Sequence, residues 1–221
     1  MKFKTEKLNF KKNSIKEIII KSKNFYNIIK ERRSVREFSK EKIDISIIKN
    51  AILSAGTAPN GANLQPWHFV IIKSEKIKKK IRIAAEKEEG RFYSSKAPKE
   101  WIKALEPLGT NKNKIFLEIA PMLIAVFEKK YSLKGENKIK NYYVKESVGI
   151  ATGILISCLH YAGLNMLTHT PSPMNFLNKI LKRPNNEKPF LLLVVGQAKK
   201  NCKIPKFAKE KKDISKISTW Y

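Results

Sequence analysis

Apolar residues recur every three or four positions in several segments, the spacing of an amphipathic helix. The predicted helices are residues 22–32, 44–56, 74–87, 142–162 and 173–181. The second begins at Asp44, a residue type that accepts hydrogen bonds from the first helical amides, and it ends at Gly56. In the long fourth helix, Gly149, Gly153 and Ser157 fall at every fourth position. This stripe lacks side-chain bulk and predicts close approach of a second helix, from this chain or from another subunit.

Short apolar runs bounded by turn signals alternate with these helices and predict buried strands. The runs are residues 67–72, 121–127, 164–167 and 189–196. The last of them, PFLLLVVG, contains no charged residue, so it fits a strand that is buried on both faces. Helices that alternate with short buried strands predict one layered domain of the α+β or α/β class.

Segments rich in Gly, Pro and polar residues lie between these elements. The loop TAPNGANLQP at residues 57–66 exposes backbone amides, which suits either the approach of a flat ligand or an ordinary turn. Residues 86–113 mix such breakers with aromatic and acidic residues, a pattern typical of a lid over a binding site. Residues 129–140 are predicted to form a mobile polar connection.

The chain has 46 Lys and Arg residues against 19 Asp and Glu residues, so its net charge is +27. This excess favours an acidic partner such as nucleic acid, an anionic membrane surface or a phosphorylated cofactor. The lysines are spread over the whole chain with few aromatic residues between them, which disfavours a nucleic-acid surface. A basic nucleic-acid-binding protein stays as the alternative of a different class.

Several features bear on the compartment and on metals. Cys158 and Cys202 are too few and too far apart for a disulfide framework, and the three histidines lack metal-ligand spacing, so no metal is expected. The basic segment before Lys23 has no long apolar core, which predicts neither a signal peptide nor a membrane anchor. Residues 148–167 are long enough to span a membrane, but their polar residues predict a buried helix followed by a strand. A cytoplasmic location is expected.

Arginine is rare in this lysine-rich chain, yet half of the arginines stand close together. They lie in the stretch Arg32, Arg33, Ser34, Val35, Arg36. A guanidinium group holds a phosphate through two parallel hydrogen bonds, whereas an ammonium group is a mobile point charge. The stretch therefore predicts a site for an anionic group in a fixed orientation, with solvated surface as the alternative.

A set of segments matches one family in the same order. The segments are RRSVREFS, AGTAPNGANLQPWHFVIIK, KEEGRFY, GTNKNK, APMLIAVF, ESVGIATGILISCLHYAGL and THTPSP. Over residues 23–205 the chain resembles the nitroreductase superfamily of flavoproteins, and within it the iodotyrosine deiodinases. The resemblance implies an α+β fold of three layers, with a central mixed sheet flanked by helices, in a domain-swapped homodimer. It implies a basic extension at residues 1–22, an FMN-binding domain at 23–198 with a lid at about 86–113, and a C-terminal arm at 199–221.

The resemblance also implies a flavin site. By similarity, the cofactor-binding residues would be Arg32, Arg33, Ser34, Val35, Arg36, Asn60, Thr168, His169, Thr170 and Lys209. The arginine stretch and Lys209 would hold the flavin phosphate and nearby atoms, and Asn60 would lie against the ring. Thr170 would be the catalytic residue, because its hydroxyl would donate to flavin N5 and favour transfer of electrons one at a time. Taken alone, Thr168 and Thr170 are better explained as turn hydroxyls before a proline.

The implied substrate site consists of Ala62, Glu89, Tyr93 and Lys114. The Ala62 backbone N–H would bind a substrate phenolate. The Glu89 carboxylate would hold an ammonium group, the Lys114 ammonium a carboxylate, and the Tyr93 phenol either one. Taken singly, a Glu or a Lys in a chain with 29% charged residues is usually solvated.

The expected activity is that of an FMN-dependent oxidoreductase that dehalogenates halotyrosines and releases halide and tyrosine. The alternative is a general nitroreductase or quinone reductase that uses NAD(P)H on other small aromatic substrates. The segment NLQPW at residues 63–67 is closer to the general nitroreductases, so it keeps this alternative open.

Overall fold

A computed structural model describes residues 4–91, 93 and 98–221. Residues 92 and 94–97, which belong to the predicted lid, lie outside the described residues. The chain divides into two units, Met1–Arg32 and Arg33–Tyr221.

The described part of the first unit contains helix α1 (Ile15–Ile29). Ser14 and Glu17 form a capping box, in which each backbone N–H donates to the other side chain. The cap starts the helix well before the predicted start at residue 22, so that prediction was wrong. None of the α1 residues is buried; Ile28 and Ile29 are half-buried, and the other apolar side chains of this helix are exposed.

The described residues of the second unit form twelve helices and strands. They are α2 (Ile45–Gly56), β1 (Trp67–Ile72), α3 (Glu75–Arg91), α4 (Lys99–Leu105), α5 (Phe116–Ile119), β2 (Met122–Lys129), β3 (Tyr131–Lys134), β4 (Asn137–Lys140), α6 (Val144–Tyr161), β5 (Asn165–His169), α7 (Phe176–Ile180) and β6 (Glu187–Gly196). Short 3-10 helices lie at Gly61–Asn63, Glu106–Leu108, Lys206–Lys209 and Ile214–Lys216.

The central sheet has the strand order β1-β2-β6-β5, and each neighbouring pair of strands is antiparallel. Ser34 adds a parallel bridge to Met166 of β5, so the sheet is mixed. The four predicted strands are confirmed, and their ends differ from the predicted ends by at most two residues.

Helices cover both faces of the sheet and make three layers. Successive residues of a strand point to opposite faces, so an apolar strand can contribute to two cores. In β6, Leu193 and Val195 join the core beneath α2 and α6, whereas Leu192 and Val194 join the core beneath α3, α5 and α7. The predicted burial of this strand on both faces is confirmed.

Residues 129–140 are not the mobile connection that their polarity predicted. They form the hairpin of β3 and β4, with Gly135 at the turn in the left-handed region at φ +61°. Asn141 donates to the carbonyl oxygen of Lys129 at 2.8 Å, and Asn186 donates to that of Tyr131 at 2.9 Å. Bonds from side chains to backbone hold the hairpin, and a hydrophobicity pattern does not reveal them.

The described part of the predicted lid is largely helical. Residues 86–91 belong to α3, which runs four residues beyond its predicted end at residue 87. Residues 99–105 form α4, and residues 106–108 form a 3-10 helix. Within the described residues, no helix combines the length and apolarity needed to cross a bilayer.

Candidate active site

The Glu89 carboxylate and the Lys114 ammonium group form an ion pair in the second unit. Glu89 stands on α3 and Lys114 just before α5, with 3.2 Å between Oε2 and Nζ. The Lys114 side chain is 4% exposed and the Glu89 side chain 14%. Lys114 Nζ also donates to the carbonyl oxygen of Asn111 at 2.6 Å. Because water is largely excluded, each charge depends on the other for compensation.

The surroundings of Lys114 act on its pKa in opposite directions. Burial lowers the pKa of Lys114 below its ordinary value, and the charge of Arg36 lowers it further. Glu89 and Glu86 raise it. Loss of the Glu89 charge would therefore make Lys114 easier to deprotonate.

A cavity of about 310 Å³ lies beside this ion pair. Its polar and charged lining residues include Arg36, Glu89, Tyr93, Thr110, Lys114, Thr168, His169 and Thr170. Its apolar lining residues are Trp101, Leu105, Leu108, Phe116 and Leu167. An apolar wall with a few convergent polar groups is the usual form of a small-molecule site. The cavity thus brings together Glu89, Tyr93 and Lys114, which we call the clamp, with Arg36 and the predicted residues at the end of β5.

The end of β5 presents two hydroxyl groups on either side of a buried imidazole. Thr168 and Thr170 are exposed, whereas His169 between them is 6% exposed. The rings of His169 and Phe116 pack edge to face, with centroids 5.7 Å apart and planes at 86°. The core therefore holds this turn in place and leaves both threonine hydroxyls available to a ligand.

His169 is neutral at physiological pH. Burial is the main cause that lowers its pKa, to about 3, and the charges of Lys114 and Arg36 lower it further. Its buried Nε2 has no hydrogen-bond partner among the residues that the structure describes. A buried polar atom without a partner is unfavourable, so a bound polar group beside it would be stabilising.

The arginine stretch is partly anchored in the core. The Val35 side chain is 3% exposed, and its backbone N–H donates to Met166 of β5 at 3.1 Å. Val35 can therefore contact a ligand only through its carbonyl group. Burial lowers the pKa of Arg36, while Tyr93 raises it. Arg32 belongs to the first unit, and its predicted contact with a phosphate stays a prediction.

A neighbouring cavity of about 420 Å³ shares Arg36, Lys114 and Phe116 with the first. Ser34 lines it, together with Lys203 from the segment after β6. Lys209 is exposed in its 3-10 helix and is not among the described lining residues of either cavity. The predicted role of Lys209 stays a prediction.

The loop that carries Asn60 and Ala62 is fixed by its own hydrogen bonds. Asn60 donates to the carbonyl oxygen of Ala58 at 3.0 Å and accepts from the backbone N–H of Gln65 at 2.8 Å. At Gly61 a Cβ atom would come within 2.9 Å of a carbonyl oxygen at the start of α6, so glycine permits this close packing. Neither Asn60 nor Ala62 is among the described residues that line the cavity beside Glu89. One chain therefore does not bring these two residues to the clamp.

Other lining residues were not predicted. Thr110 and Phe116 line the cavity, but nothing in the sequence distinguishes them from other loop and core residues. Glu86, which accepts a hydrogen bond from the Lys114 backbone, was also missed. No sequence signal identifies it, because Glu89 lies beyond the predicted helix end at residue 87 and periodicity does not show which segment faces the helix.

Comparison with known proteins agrees with this fold. The model of the nitroreductase family matches residues 29–197. The iodotyrosine deiodinase of Haliscomenobacter hydrossis is 50% identical over 206 residues, which are 93% of this chain and 92% of that protein. The iodotyrosine deiodinase of Danio rerio is 39% identical over 92% of this chain and 69% of its own length. A crystal structure of oxidized iodotyrosine deiodinase bound to FMN and 3-iodo-L-tyrosine matches with a TM-score of 0.74 and 30% identity, over 86% of this chain and 96% of that one.

The family match covers the sheet, the helices on both of its faces and most of the cavity residues. It confirms the predicted fold class, a mixed sheet between two helical layers. This chain belongs to the nitroreductase family.

Proposed function

We propose that this protein is an FMN-dependent reductive dehalogenase of halotyrosines that releases halide and tyrosine. The observation that carries the proposal is the buried Glu89–Lys114 pair, 3.2 Å apart, in one cavity with Tyr93 and Thr170. A ligand can replace both partners only if it carries a positive and a negative group, as an amino acid does. The similar proteins are named iodotyrosine deiodinases, and one was solved with FMN and 3-iodo-L-tyrosine.

The residues around the cavity fit FMN. Arg36 lines both adjoining cavities and Ser34 lines the larger one, and they supply donors for an anionic group. The buried Nε2 of His169 is a polar atom that a polar ligand would satisfy. The residues proposed to hold FMN are Arg32, Arg33, Ser34, Val35, Arg36, Asn60, Thr168, His169, Thr170 and Lys209. When bound and reduced, FMN would supply two electrons that, with one proton, replace the carbon–halogen bond by a carbon–hydrogen bond and release the halide ion.

The substrate would be held by exchange of ion-pair partners. The substrate ammonium group takes the place of Lys114 at the Glu89 carboxylate, and the substrate carboxylate takes the place of Glu89 at Lys114. Each buried charge keeps a partner throughout, so the exchange avoids the penalty of an unpaired buried charge. The Tyr93 phenol, which lines the same cavity, adds a hydrogen bond to the amino acid end.

The remaining lining residues orient the ring and exclude water. Trp101, Leu108 and Phe116 offer apolar surface against which a phenol ring can pack. Exclusion of water strengthens the charge pairs at the other end of the ligand. We assign Thr170 the donor role toward flavin N5, because Thr170 lines the cavity directly after a strand that the core fixes.

We infer that the working form is a domain-swapped homodimer. Asn60 and Ala62 would reach the ring and the substrate phenolate from a second copy, since they do not line the described cavity of their own chain. Nothing lies within 4 Å of a Cβ atom placed at Gly149 or Gly153, so the stripe on α6 leaves room for a helix of that copy. α1 and the arm at residues 199–221 both keep apolar side chains exposed, such as Trp220 at 80%, which such an exchange would cover.

The proposed organisation follows the predicted boundaries. Residues 23–198 would bind FMN, and the extension at 1–22 and the arm at 199–221 would reach the second copy. We also propose a cytoplasmic location, where Cys158 and Cys202, both free, would stay reduced.

The activity is tested by an anaerobic assay on FMN-loaded protein. The protein is reduced with dithionite and mixed with 3-iodo-L-tyrosine, and iodide and tyrosine are measured. We expect equal amounts of both products. Thr170→Ala should lose dehalogenation but keep reduction of nitroaromatics with NAD(P)H, whereas Thr170→Ser should keep both activities.

Other results would favour other functions. Reduction of nitroaromatics by NAD(P)H without release of iodide would favour the general nitroreductase. A colourless protein that added FMN does not restore, with DNA binding that weakens steeply with salt, would favour the nucleic-acid-binding class. Full dehalogenation by Thr170→Ala would overturn the role of that hydroxyl.

A further inference from the structure

One face of α3 carries charged residues that hold the chain segment leading into β2. They are Lys78, Arg82, Glu86 and Glu89. Their spacing of four, four and three positions places them in one stripe along the helix. Lys78 Nζ donates to the carbonyl oxygens of Glu118 and Ala120 at 2.8 and 2.7 Å. Arg82 donates to the Glu118 carboxylate at 2.5 Å.

Glu86 connects this stripe to the clamp. Its Oε2 accepts from Arg82 Nη1 at 2.8 Å, and its Oε1 accepts from the backbone N–H of Lys114 at 2.8 Å. One helical turn later, Glu89 pairs with the ammonium group of the same lysine at 3.2 Å. Two carboxylates on one side of α3 therefore hold Lys114, one through its backbone and the other through its side chain.

The backbone of Lys114 is also held from the core side. Its carbonyl oxygen accepts from the backbone N–H of Leu117 at 2.9 Å, and Leu117 is fully buried between α3 and the sheet. Glu86 and Leu117 thus fix the peptide groups on both sides of the Lys114 Cα atom. A side chain that starts from a fixed point loses less freedom when it is ordered by a ligand.

We propose that Glu86 is a positioning residue for the substrate clamp, an inference that rests on the function proposed above. Glu86 does not touch the substrate; it sets the point from which Lys114 reaches the substrate carboxylate. Without this hydrogen bond, the Lys114 backbone and its long side chain must both be ordered on binding. Arg82 keeps Glu118 as a second partner, so a change at Glu86 leaves the rest of the stripe bonded.

The test compares two ligands of FMN-loaded protein by titration of flavin fluorescence. L-Tyrosine carries the zwitterion and is not reduced, and 4-methylphenol has the same ring without the amino acid end. Glu86→Ala is expected to weaken tyrosine binding about tenfold, the effect of one lost charge-assisted hydrogen bond, and to leave 4-methylphenol binding unchanged. Glu86→Gln keeps an acceptor for the Lys114 N–H and should recover most of the affinity.

Glu88→Ala is the matched control. Glu88 stands on the same helix, two residues after Glu86 and therefore on a different face, and it pairs with Arg91 at 3.2 Å. This variant should bind both ligands as the unmodified protein does. Equal weakening of both ligands by Glu86→Ala would indicate general damage and overturn the inference. Tyrosine binding within a factor of about two of the unmodified protein would overturn it as well.

A second measurement needs no variant. Amide hydrogen exchange at Lys114 in the unmodified FMN-loaded protein is expected to be slow, because its N–H is bonded to Glu86, and slower still with tyrosine. Exchange at the rate of an exposed amide would overturn the inference. Failure of the proposed function has a different signature, in which the unmodified protein binds tyrosine no better than 4-methylphenol. Such a protein has no clamp, and this result would overturn both the proposed function and the role of Glu86.

Discussion

Replacement of Glu89 by Gln separates the charge of the clamp from its shape. The side chain is 14% exposed and lies 3.2 Å from a Lys114 ammonium group that is 4% exposed. Gln keeps the size and one acceptor oxygen, but it cannot neutralise Lys114 or a substrate ammonium group. A hydrogen bond to a charged group contributes about 1.5–3 kcal/mol, and partial exposure of Glu89 favours the lower end of that range. We therefore expect tyrosine to bind about 10 to 30 times more weakly.

The assay is titration of FMN-loaded protein with L-tyrosine, with 4-methylphenol as the ligand that lacks the zwitterion. The affinity for 4-methylphenol should not change. Because the Glu89 charge raises the pKa of Lys114, removal of that charge lowers the pKa of Lys114. Lys114 must be protonated to hold a carboxylate, so tyrosine binding is lost as the pH rises. In the variant this loss should occur at a lower pH than in the unmodified protein.

Glu88→Gln, which removes the same charge from the same helix, is the control and should bind tyrosine normally. Tyrosine binding by Glu89→Gln that is as tight as in the unmodified protein would show that the Glu89 charge does not hold the ligand. Loss of affinity for both ligands by the same factor would show that the pair serves only the fold.

Three further substitutions test the titration of His169, the proposed subunit interface on α6 and the hydrophobic core. The pKa of His169 is about 3 in the folded protein against 6.5 ordinarily, so its contribution to stability is present above pH 6.5 and is lost as the pH falls towards 3. The loss of unfolding free energy is up to about 5 kcal/mol, and urea unfolding of His169→Asn should not show this loss. The same dependence of unfolding free energy on pH in His169→Asn and the unmodified protein would contradict this. Gly153→Leu should keep the fold, because Leu favours a helix by about 1 kcal/mol over Gly, but should shift sedimentation towards monomer. If Gly153→Leu remains a dimer, this face of α6 is not the subunit interface. Leu155→Ala, at a fully buried site, should lower the unfolding free energy by about 3–5 kcal/mol, and Leu53→Ala, 70% exposed, by far less; equal losses would contradict the assigned core.

Much of the fold was predictable because burial leaves a pattern in the sequence. The four strands of the central sheet were located within two residues, since a strand covered on both faces must be apolar at nearly every position. The start of α1 was missed because a capping box, Ser14 with Glu17, extends a helix beyond its apolar stripe. The hairpin of β3 and β4 was missed because backbone pairing and the Asn141 and Asn186 side chains hold it.

The candidate site was predictable only in part. Family resemblance identified Glu89, Tyr93 and Lys114, and the structure brings all three to one cavity. Glu86 was not identified, because its role depends on which chain segment lies opposite α3, and local periodicity carries no such information. The resemblance also pointed to Asn60, which one chain leaves outside that cavity.

The sequence by itself determined the order of the longer helices and of the central strands, the layers they form and the kinds of charged group available. Only the tertiary structure decided which charges act together. Among 46 basic and 19 acidic residues, any carboxylate has many cations to pair with, and most such pairs lie in water, where their attraction is weak. Folding removes water from Glu89 and Lys114 and leaves them 3.2 Å apart, and electrostatic attraction becomes strong only where water is excluded.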